Sequence, residues 1–316
     1  MPAAPSSVAS SRRRIRAAGL GVALVAGLVV PAATTAAAAA GASTRRAQHA
    51  VGLPSVSGGF GQRPKLTFPA SPPPKGLVVK VLHQGHGPVV RKGELAVVNY
   101  YGQIWRGKEF DTSWGRGLFA TPIGVGRVIP GWDKGIVGAR VGSRLLLSVP
   151  PVDGYKKAGN PQAGITGTDT LEFVVDVVGA YGAKAHGDPH ATVLHTEVRG
   201  IKIGGPLGGE PTVTVTKGAP QPSGVSVTMV ARGHGPKVRP GLLVDQYVVG
   251  TWSGPAPAAT WSSIPDNQTL GSATAPSVLD KTIGMPLGSR VLVELPKTTS
   301  GGPYALVVDL VAEPTG

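Results

Sequence analysis

The chain has 316 residues, which is enough for two domains of ordinary size. Its 47 glycines and 30 prolines favour turns and strands over a helical bundle, and the absence of cysteine excludes disulfides, cysteine nucleophiles and thiolate metal sites. The formal net charge of +14 is spread thinly beyond the N-terminus, which favours solubility over specific recognition of nucleic acid. We therefore expect a β-rich protein that does not bind nucleic acid.

The first 42 residues have the pattern of an export signal. Basic residues from Arg12 to Arg16 precede an apolar stretch from Ala17 to Val30, and small residues follow it. This stretch is short for a membrane span, so we expect no stable span after removal of the signal; an uncleaved N-terminal anchor is the alternative. Because a bacterial lipoprotein needs a cysteine, we expect an exported protein, extracellular or in the cell envelope, that is not a lipoprotein.

Residues 43–72 are rich in Gly, Pro and Ser and predict a semi-extended linker, in which Lys65 to Phe68 adds an edge strand to the following domain. Alternating apolar residues then predict a series of strands. These run from Leu77 to Leu82, Leu95 to Trp105, Glu109 to Trp114, Leu145 to Val149 and Leu171 to Val178, and the stretch from Phe119 to Gly126 leads into a helix. Residues 150–168 are rich in turn formers and form a loop that we call the flap.

The stretch from Val128 to Arg144 organises this part of the chain. Pro130 suits the first position of a helix, and Gly138 suits its left-handed end. Trp132 and Ile136 recur at helical spacing. A helix of about two turns is not stable alone in water, so the indole of Trp132 must hold it against neighbouring strands. We expect an α+β fold, a twisted antiparallel β-sheet wrapped around a short α-helix, with Trp132 flooring a bowl.

The same pattern recurs about 147 residues later in the chain. The Gly-His-Gly-Pro turn at 85–88 reappears at 233–236, and Val-Gly-Ser-Arg at 141–144 reappears as Leu-Gly-Ser-Arg at 287–290. The sequence therefore predicts a tandem duplication. We expect a first domain at residues 73–181, a linker at 182–208 and a second domain at 209–316.

Three motifs, N-Y-Y-G, G-K-E-F-D-T-S and V-I-P-G-W-D-K-G-I-V-G, follow one another in the first domain. Together they closely resemble the FKBP-type peptidyl-prolyl cis–trans isomerases, from residue 76 to about residue 181. The resemblance implies that the first domain accelerates rotation about X-Pro bonds in other exported proteins. It implies proline-containing polypeptides as clients, macrolide inhibitors as further ligands, and neither a cofactor nor a metal. His83, His86, His186 and His190 do not form a metal-binding spacing.

Carried onto this chain, the resemblance places Trp132 at the floor of a pocket for the proline ring. It implies catalytic roles for Tyr100, Phe110, Asp111, Trp132, Tyr155 and Phe173, and substrate-binding roles for Arg116, Phe119, Val128, Ile129 and Ile165. Asp111 would lie at the rim with Tyr100 and Arg116. The Tyr155 hydroxyl and the Ile129 N–H would bind substrate carbonyls, and Ile165 would cap the pocket from the flap.

The flap departs from the family pattern, because Lys156 and Lys157 follow Tyr155 where small residues are usual. The altered flap keeps a second interpretation open, a non-catalytic binding module or chaperone that holds proline-containing segments. A structural protein of the cell wall is a third, which fits the Pro-rich linkers but not the aromatic pocket.

The second repeat departs from the pattern much further. Leu279 stands for Trp132, Leu306 for Phe173 and Val248 for Tyr100. We therefore expect the second domain to be a degenerate repeat without isomerase activity, serving as a scaffold or a client contact.

Overall fold

The computed structural model describes residues 52–261, 263–299 and 301–315. The predicted export signal at 1–42 and the start of the predicted linker at 43–72 lie outside the described residues. The described chain divides into two compact units, residues 52–181 and 182–314. Within the described ranges, no helix has the length and apolar character that crossing a bilayer requires.

The first unit consists of antiparallel strands and one short helix within its described part. Its elements are β1 (Ser55–Ser57), β2 (Lys65–Thr67), β3 (Val78–His83), β4 (Leu95–Ile104), β5 (Glu109–Thr112), β6 (Phe119–Pro122), α1 (Pro130–Ile136), β7 (Arg144–Val149) and β8 (Leu171–Tyr181). The main sheet has the strand order β3-β7-β8-β4-β5, and β6 also pairs with β4. The sheet wraps one short helix, as the sequence predicts.

Helix α1 lies on the concave face of this sheet because two glycines allow close contact. A Cβ on Gly131 would lie 2.6 Å from Val149 Cγ1, and one on Gly135 would lie 2.7 Å from Leu147 Cδ2. Within the helix, Trp132 is 4% exposed. The short helix is therefore held by packing, and it positions the indole against the sheet.

The opposite, convex face of the sheet is covered by the β1–β2 hairpin. The prediction of an extended linker at residues 43–72 was therefore wrong for residues 55–67. Strands β1 and β2 form a separate two-stranded sheet and do not extend the edge of the main one. Leu66 is 8% exposed and packs with Tyr101, Leu146 and Val174. The tip of the hairpin is held by Arg144, whose guanidinium donates to the carbonyls of residues 58 and 62 at 2.6 and 2.7 Å.

The second unit is built from nine strands within its described part. They are β9 (Thr192–Val193), β10 (Glu197–Val198), β11 (Ile201–Gly204), β12 (Thr212–Val215), β13 (Ser226–Arg232), β14 (Gly241–Thr251), β15 (Asp266–Leu270), β16 (Arg290–Leu295) and β17 (Tyr304–Ala312). The larger sheet has the order β15-β14-β17-β16-β13-β9, and β10, β11 and β12 form a second sheet. A 3₁₀ turn at Val278–Thr282 stands where the first unit has its helix.

Residues 182–208 do not form the predicted linker, because they contain three of these strands. Ile201 is fully buried in an apolar cluster with Val230, Val248 and Leu292. In both units, therefore, a Gly- and Pro-rich segment that precedes the repeat folds back over the convex face of its own sheet.

The two main sheets share pairing irregularities and a buried ion pair. Register shifts occur in β4–β8 after Val97 and in β14–β17 after Val244. On the convex face, Arg144 pairs with Asp176 in the first unit, and Arg290 pairs with Asp309 in the second, each at 2.6 Å.

This shared register corrects one sequence equivalence. Asn99 and Gln246 lie opposite Asp176 and Asp309, so the next residue on each strand, Tyr100 or Tyr247, occupies the same position. The prediction that Val248 stands for Tyr100 was therefore wrong by one residue. Because side chains alternate along a strand, Val248 lies on the convex face.

Candidate functional site

The candidate site is an aromatic cluster on the concave face of the first unit. Trp132 from α1 lies edge-to-face against three rings, with centroid distances of 5.2 Å to Tyr100, 6.1 Å to Phe119 and 5.4 Å to Phe173. This is the geometry that ring quadrupoles favour. Three separate strands and the helix each contribute one ring, so the cluster depends on the fold as a whole.

A glycine near the end of β4, Gly102, makes room for the outer wall of this cluster. Phe110 lies edge-to-face on Phe173, with centroids 5.5 Å apart. A Cβ on Gly102 would lie 2.7 Å from the Phe110 ring and 3.1 Å from Phe173. Sequence reasoning did not identify Gly102, although a glycine inside a strand signals close approach of another group.

The rim of the cluster is a hydrogen-bonded group around Asp111. The Tyr100 hydroxyl donates to Asp111 Oδ2 at 2.5 Å, and the Arg116 guanidinium donates to Asp111 Oδ1. The Thr112 N–H donates to the same Oδ1 at 2.9 Å. Burial raises the pKa of Tyr100, and the hydrogen bond to Asp111 and its charge raise it further. Tyr100 is therefore a neutral phenol fixed on a carboxylate, and both carboxylate oxygens are satisfied.

The flap folds as three short 3₁₀ turns, Pro151–Asp153, Lys156–Ala158 and Pro161–Ala163. Ile165 from the flap is 3% exposed and belongs to the same core as Trp132. An ion pair of 2.6 Å between Lys134 on α1 and Asp153 fixes the first turn of the flap to the helix.

Tyr155 is the flap residue whose hydroxyl group lies beside the aromatic cluster. Its ring is partly buried against the core. Burial raises the pKa of Tyr155, a hydrogen bond with Asn160 opposes this shift, and the charge of Asp111 adds to it. Tyr155 therefore carries its proton at neutral pH and can donate a hydrogen bond.

Val128 and Ile129 lead into the helix at the edge of the same core. The Ile129 carbonyl accepts from the Trp132 and Asp133 N–H groups at 3.0 and 3.3 Å. Among the described residues, the Ile129 N–H has no hydrogen-bond partner, and the helix begins with Pro130, which has no N–H. The first amide available at this edge is thus that of Ile129.

All eleven residues predicted for the site come together in this one region, and their roles in binding and catalysis remain predictions. Nine belong to or pack against one apolar core, and Asp111 and Arg116 join it through Tyr100. Within the described part of the chain, no group of three or more His, Asp or Glu side chains is placed to hold a metal ion.

The equivalent face of the second unit has a different composition. Leu279, 3% exposed, and Leu306 pack there in a core that keeps one ring, Tyr247, at the position of Tyr100. The β14–β15 register places Asp266 opposite Asp245, where the first unit has Phe119 opposite Val98. Burial raises the pKa of Asp245 well above its ordinary range, and the charge of Asp266 adds to this shift.

The matches to known proteins fall on the first unit. Residues 87–178 match the model of the family described as FKBP-type peptidyl-prolyl cis-trans isomerase. An FK506-binding protein of Streptomyces anulatus is 39% identical over 119 residues, which cover 37% of this chain and 96% of that protein. A probable FK506-binding protein of Corynebacterium glutamicum is 34% identical over 122 residues, covering 38% of this chain and 99% of that protein.

Among solved structures, the crystal structure of FkpA from Escherichia coli is 37% identical and covers 34% of this chain and 49% of that chain, with a TM-score of 0.32. The relatives from Streptomyces and Corynebacterium are matched over nearly their whole length. The chain therefore belongs to the family of FKBP-type peptidyl-prolyl cis–trans isomerases.

Proposed function

We propose that the first unit accelerates cis–trans isomerisation of X-Pro bonds in exported polypeptides. The observation that carries this proposal is the edge-to-face cluster of Tyr100, Phe119 and Phe173 around Trp132. Flat apolar walls of this size match a proline ring, and the hydrogen-bonding groups of the rim and flap stand beside it.

The chemistry requires only that the site favour the twisted amide over the planar one. Amide resonance sets a rotational barrier of about 18–20 kcal/mol. Resonance separates charge and is favoured by water, so a dry apolar site favours the twisted state, in which resonance is lost. Lowering the barrier by about 4 kcal/mol accelerates exchange roughly a thousandfold. No covalent intermediate or cofactor is needed.

Each residue of the site has a defined part in this proposal. Trp132 floors the proline pocket, and the surrounding rings with Val128 exclude water. The Ile129 N–H and the Tyr155 hydroxyl hold the substrate carbonyls on either side of the rotating bond, and Ile165 closes the pocket. Asp111 and Arg116 fix the orientation of Tyr100.

The test is a protease-free NMR exchange assay on a short X-Pro peptide with the full chain. We expect acceleration by the wild type, a reduced rate for Tyr155→Phe and an uncatalysed rate for Trp132→Leu. Trp261→Leu is the matched control, because Trp261 is a similarly buried tryptophan of the second unit. Absence of acceleration by the folded wild type would favour the binding-module interpretation.

The same assay tests whether activity belongs to the first unit only. We propose that the two units arose by tandem duplication and that the second is inactive. The shared strand order, register shifts and buried ion pairs support the duplication. The aliphatic residues and paired carboxylates of the second concave face support the loss of activity. Residual acceleration by Trp132→Leu above the uncatalysed rate would contradict it.

We further propose that the chain is exported through the signal at residues 1–42 and that macrolides compete for the proline pocket. The basic, apolar and small-residue order supports the signal. The names of the two relatives, both FK506-binding proteins, support macrolide binding. N-terminal mass analysis of protein from the culture medium and cell envelope tests the first, and inhibition of the exchange assay by FK506 tests the second.

A further inference from the structure

The Gly-His-Gly-Pro turn of the second unit, residues 233–236, binds a carboxylate of its own chain. Asp188 Oδ2 accepts from the His234 backbone N–H at 3.1 Å and lies 2.7 Å from His234 Nδ1. Because a carboxylate only accepts, Nδ1 carries the proton. The pKa of Asp188 is lowered, first by the backbone N–H of His190 and then by His234. The turn therefore recognises an ionised aspartate.

The first unit contains the same four residues at 85–88, held in the same way. The N–H of the first glycine donates to Ser143 Oγ at 2.8 Å, and that of the second donates to the Val141 carbonyl at 3.0 Å. In the second unit, the matching distances to Ser289 and Leu287 are 3.0 and 3.1 Å. The two turns thus present the same groups on the same scaffold.

The space that Asp188 fills in the second unit is occupied by no described residue in the first. A Cβ on Gly288 would lie 2.6 Å from Asp188 Cβ. At the equivalent Gly142, the described atoms that an added Cβ meets within 4 Å are backbone atoms of residues 85 and 86, the nearest at 3.3 Å. Within the described residues, His86 makes no hydrogen bond through its ring or its N–H.

Two further features adapt the first turn to an anion. An open groove beside it is bordered by His86 and Arg140, whose guanidinium also donates to the Gly87 carbonyl at 3.2 Å. The second unit has Pro286 where the first has Arg140. Moreover, residues 1–84 of the sequence contain no Asp or Glu, so none of them corresponds to Asp188, which precedes the turn of the second unit.

We propose that the turn at 85–88, together with Arg140, is a binding site for an aspartate side chain of a partner polypeptide. The His86 N–H and Nδ1–H bind one carboxylate oxygen, as in the second unit, and the Arg140 guanidinium places a positive charge beside the groove, where the second unit has Lys237 on the other side of the same bridge. This site is separate from the proline pocket and does not depend on isomerase activity.

The test is a histidine-selective NMR titration of the full chain. The probe is a capped peptide with the sequence of residues 185–191, with alanine in place of its proline so that it does not enter the proline pocket. The His86 signal is identified by its absence in His86→Asn. We expect saturable binding, with a dissociation constant on the order of millimolar, and a change in the His86 signal that follows the same binding curve.

The controls separate recognition from general attraction of charge. Arg140→Gln should weaken binding several-fold, and a peptide with Asn for Asp should not bind. Free acetate should bind more weakly than the peptide, and equal binding by acetate would overturn the assignment to a polypeptide. Asp188→Ala, which removes this side-chain oxygen from the second turn, should make His234 responsive to the same peptide. An unchanged His86 signal in the wild type, or equal shifts with the Asn peptide, would overturn the proposal.

Discussion

Glu172 makes the first unit less stable at alkaline pH. It lies on β8 with 0% exposure, and neither carboxylate oxygen has a hydrogen-bond partner among the described residues. Ser148 faces it across the β7–β8 pair and only partly favours the charged form. Burial consequently raises the pKa of Glu172 from 4.5 to about 8. Replacing it by glutamine removes the charge and keeps the size.

The direction and size of the change in unfolding free energy with pH follow from proton linkage. Between the two pKa values the unfolded chain has released the proton and the folded chain still holds it, so stability falls as pH rises. Each pKa unit corresponds to about 1.36 kcal/mol. Over the window from pH 5 to pH 8 the wild type should lose roughly 3–4 kcal/mol relative to Glu172→Gln, since ionisation in the folded state begins only near the upper limit.

The assay is urea unfolding of both proteins at pH 5, 6, 7 and 8, followed by pulsed hydrogen exchange and mass spectrometry. Peptides covering residues 171–181 report on the first unit, and peptides from the second unit serve as an internal control. The difference in unfolding free energy between Glu172→Gln and the wild type should widen steadily with pH. A difference that stays constant from pH 5 to pH 8 would refute the argument from burial.

Two further substitutions test the packing of the site and of the convex face. Gly102→Ala should cost about 1–3 kcal/mol of stability and slow isomerisation, because its Cβ would strike the Phe110 ring at 2.7 Å. Gly76→Ala is the control, since a Cβ there meets no described atom within 4 Å, and equal effects of the two changes would contradict the reasoning. Arg144→Leu should cost about 3–5 kcal/mol, because it leaves Asp176 buried without its cation. It should also increase hydrogen exchange in residues 55–67, and unchanged protection there would show that the hairpin is held by other contacts.

The sequence was sufficient to predict the helix and the aromatic cluster, for a physical reason. Pro130, Trp132 and Gly138 are each uncommon choices that serve one conformational or packing need. Their joint occurrence at fixed spacing therefore restricts the local structure strongly. The position of Phe173 on the concave face followed in the same way from strand alternation.

The segments before each repeat could not be predicted from composition. Their Gly, Pro and Ser content is typical of linkers, but single contacts decide their structure. Gly61 N–H donates to Asp176 at 2.7 Å, and the Gly209 carbonyl accepts from Arg290 at 2.8 Å. Such a contact uses only the backbone of the segment, which leaves no pattern in its side chains.

The register of β14 was mispredicted because the turns before the strands match residue 85 with 233, whereas the strands match Tyr100 with Tyr247, so the second unit has one residue fewer between turn and strand. The run Leu242 to Val249 alternates weakly, so a shift of one residue costs little in a sequence comparison. The bulge after Val244 and the ion pair at Asp309 fix the register in the structure. Neither feature can be recognised from β14 alone.

The residues that recur in both units are mainly those that stabilise the fold, and fewer of them belong to the candidate site. The recurring residues are those of the turn, the buried Arg–Asp pair and the serine that caps the turn, as in Ser143 and Ser289. These hold the sheet and its connections in both units. On the concave face Tyr247 matches Tyr100, but Leu279 stands in place of Trp132 and Leu306 in place of Phe173, so the second match by itself indicates only the fold. Because each unit has a buried Arg–Asp pair, we expect loss of that pair to destabilise either unit. Since desolvation by aromatic walls is the proposed source of catalysis, we expect only the first unit to lower the barrier to X-Pro rotation.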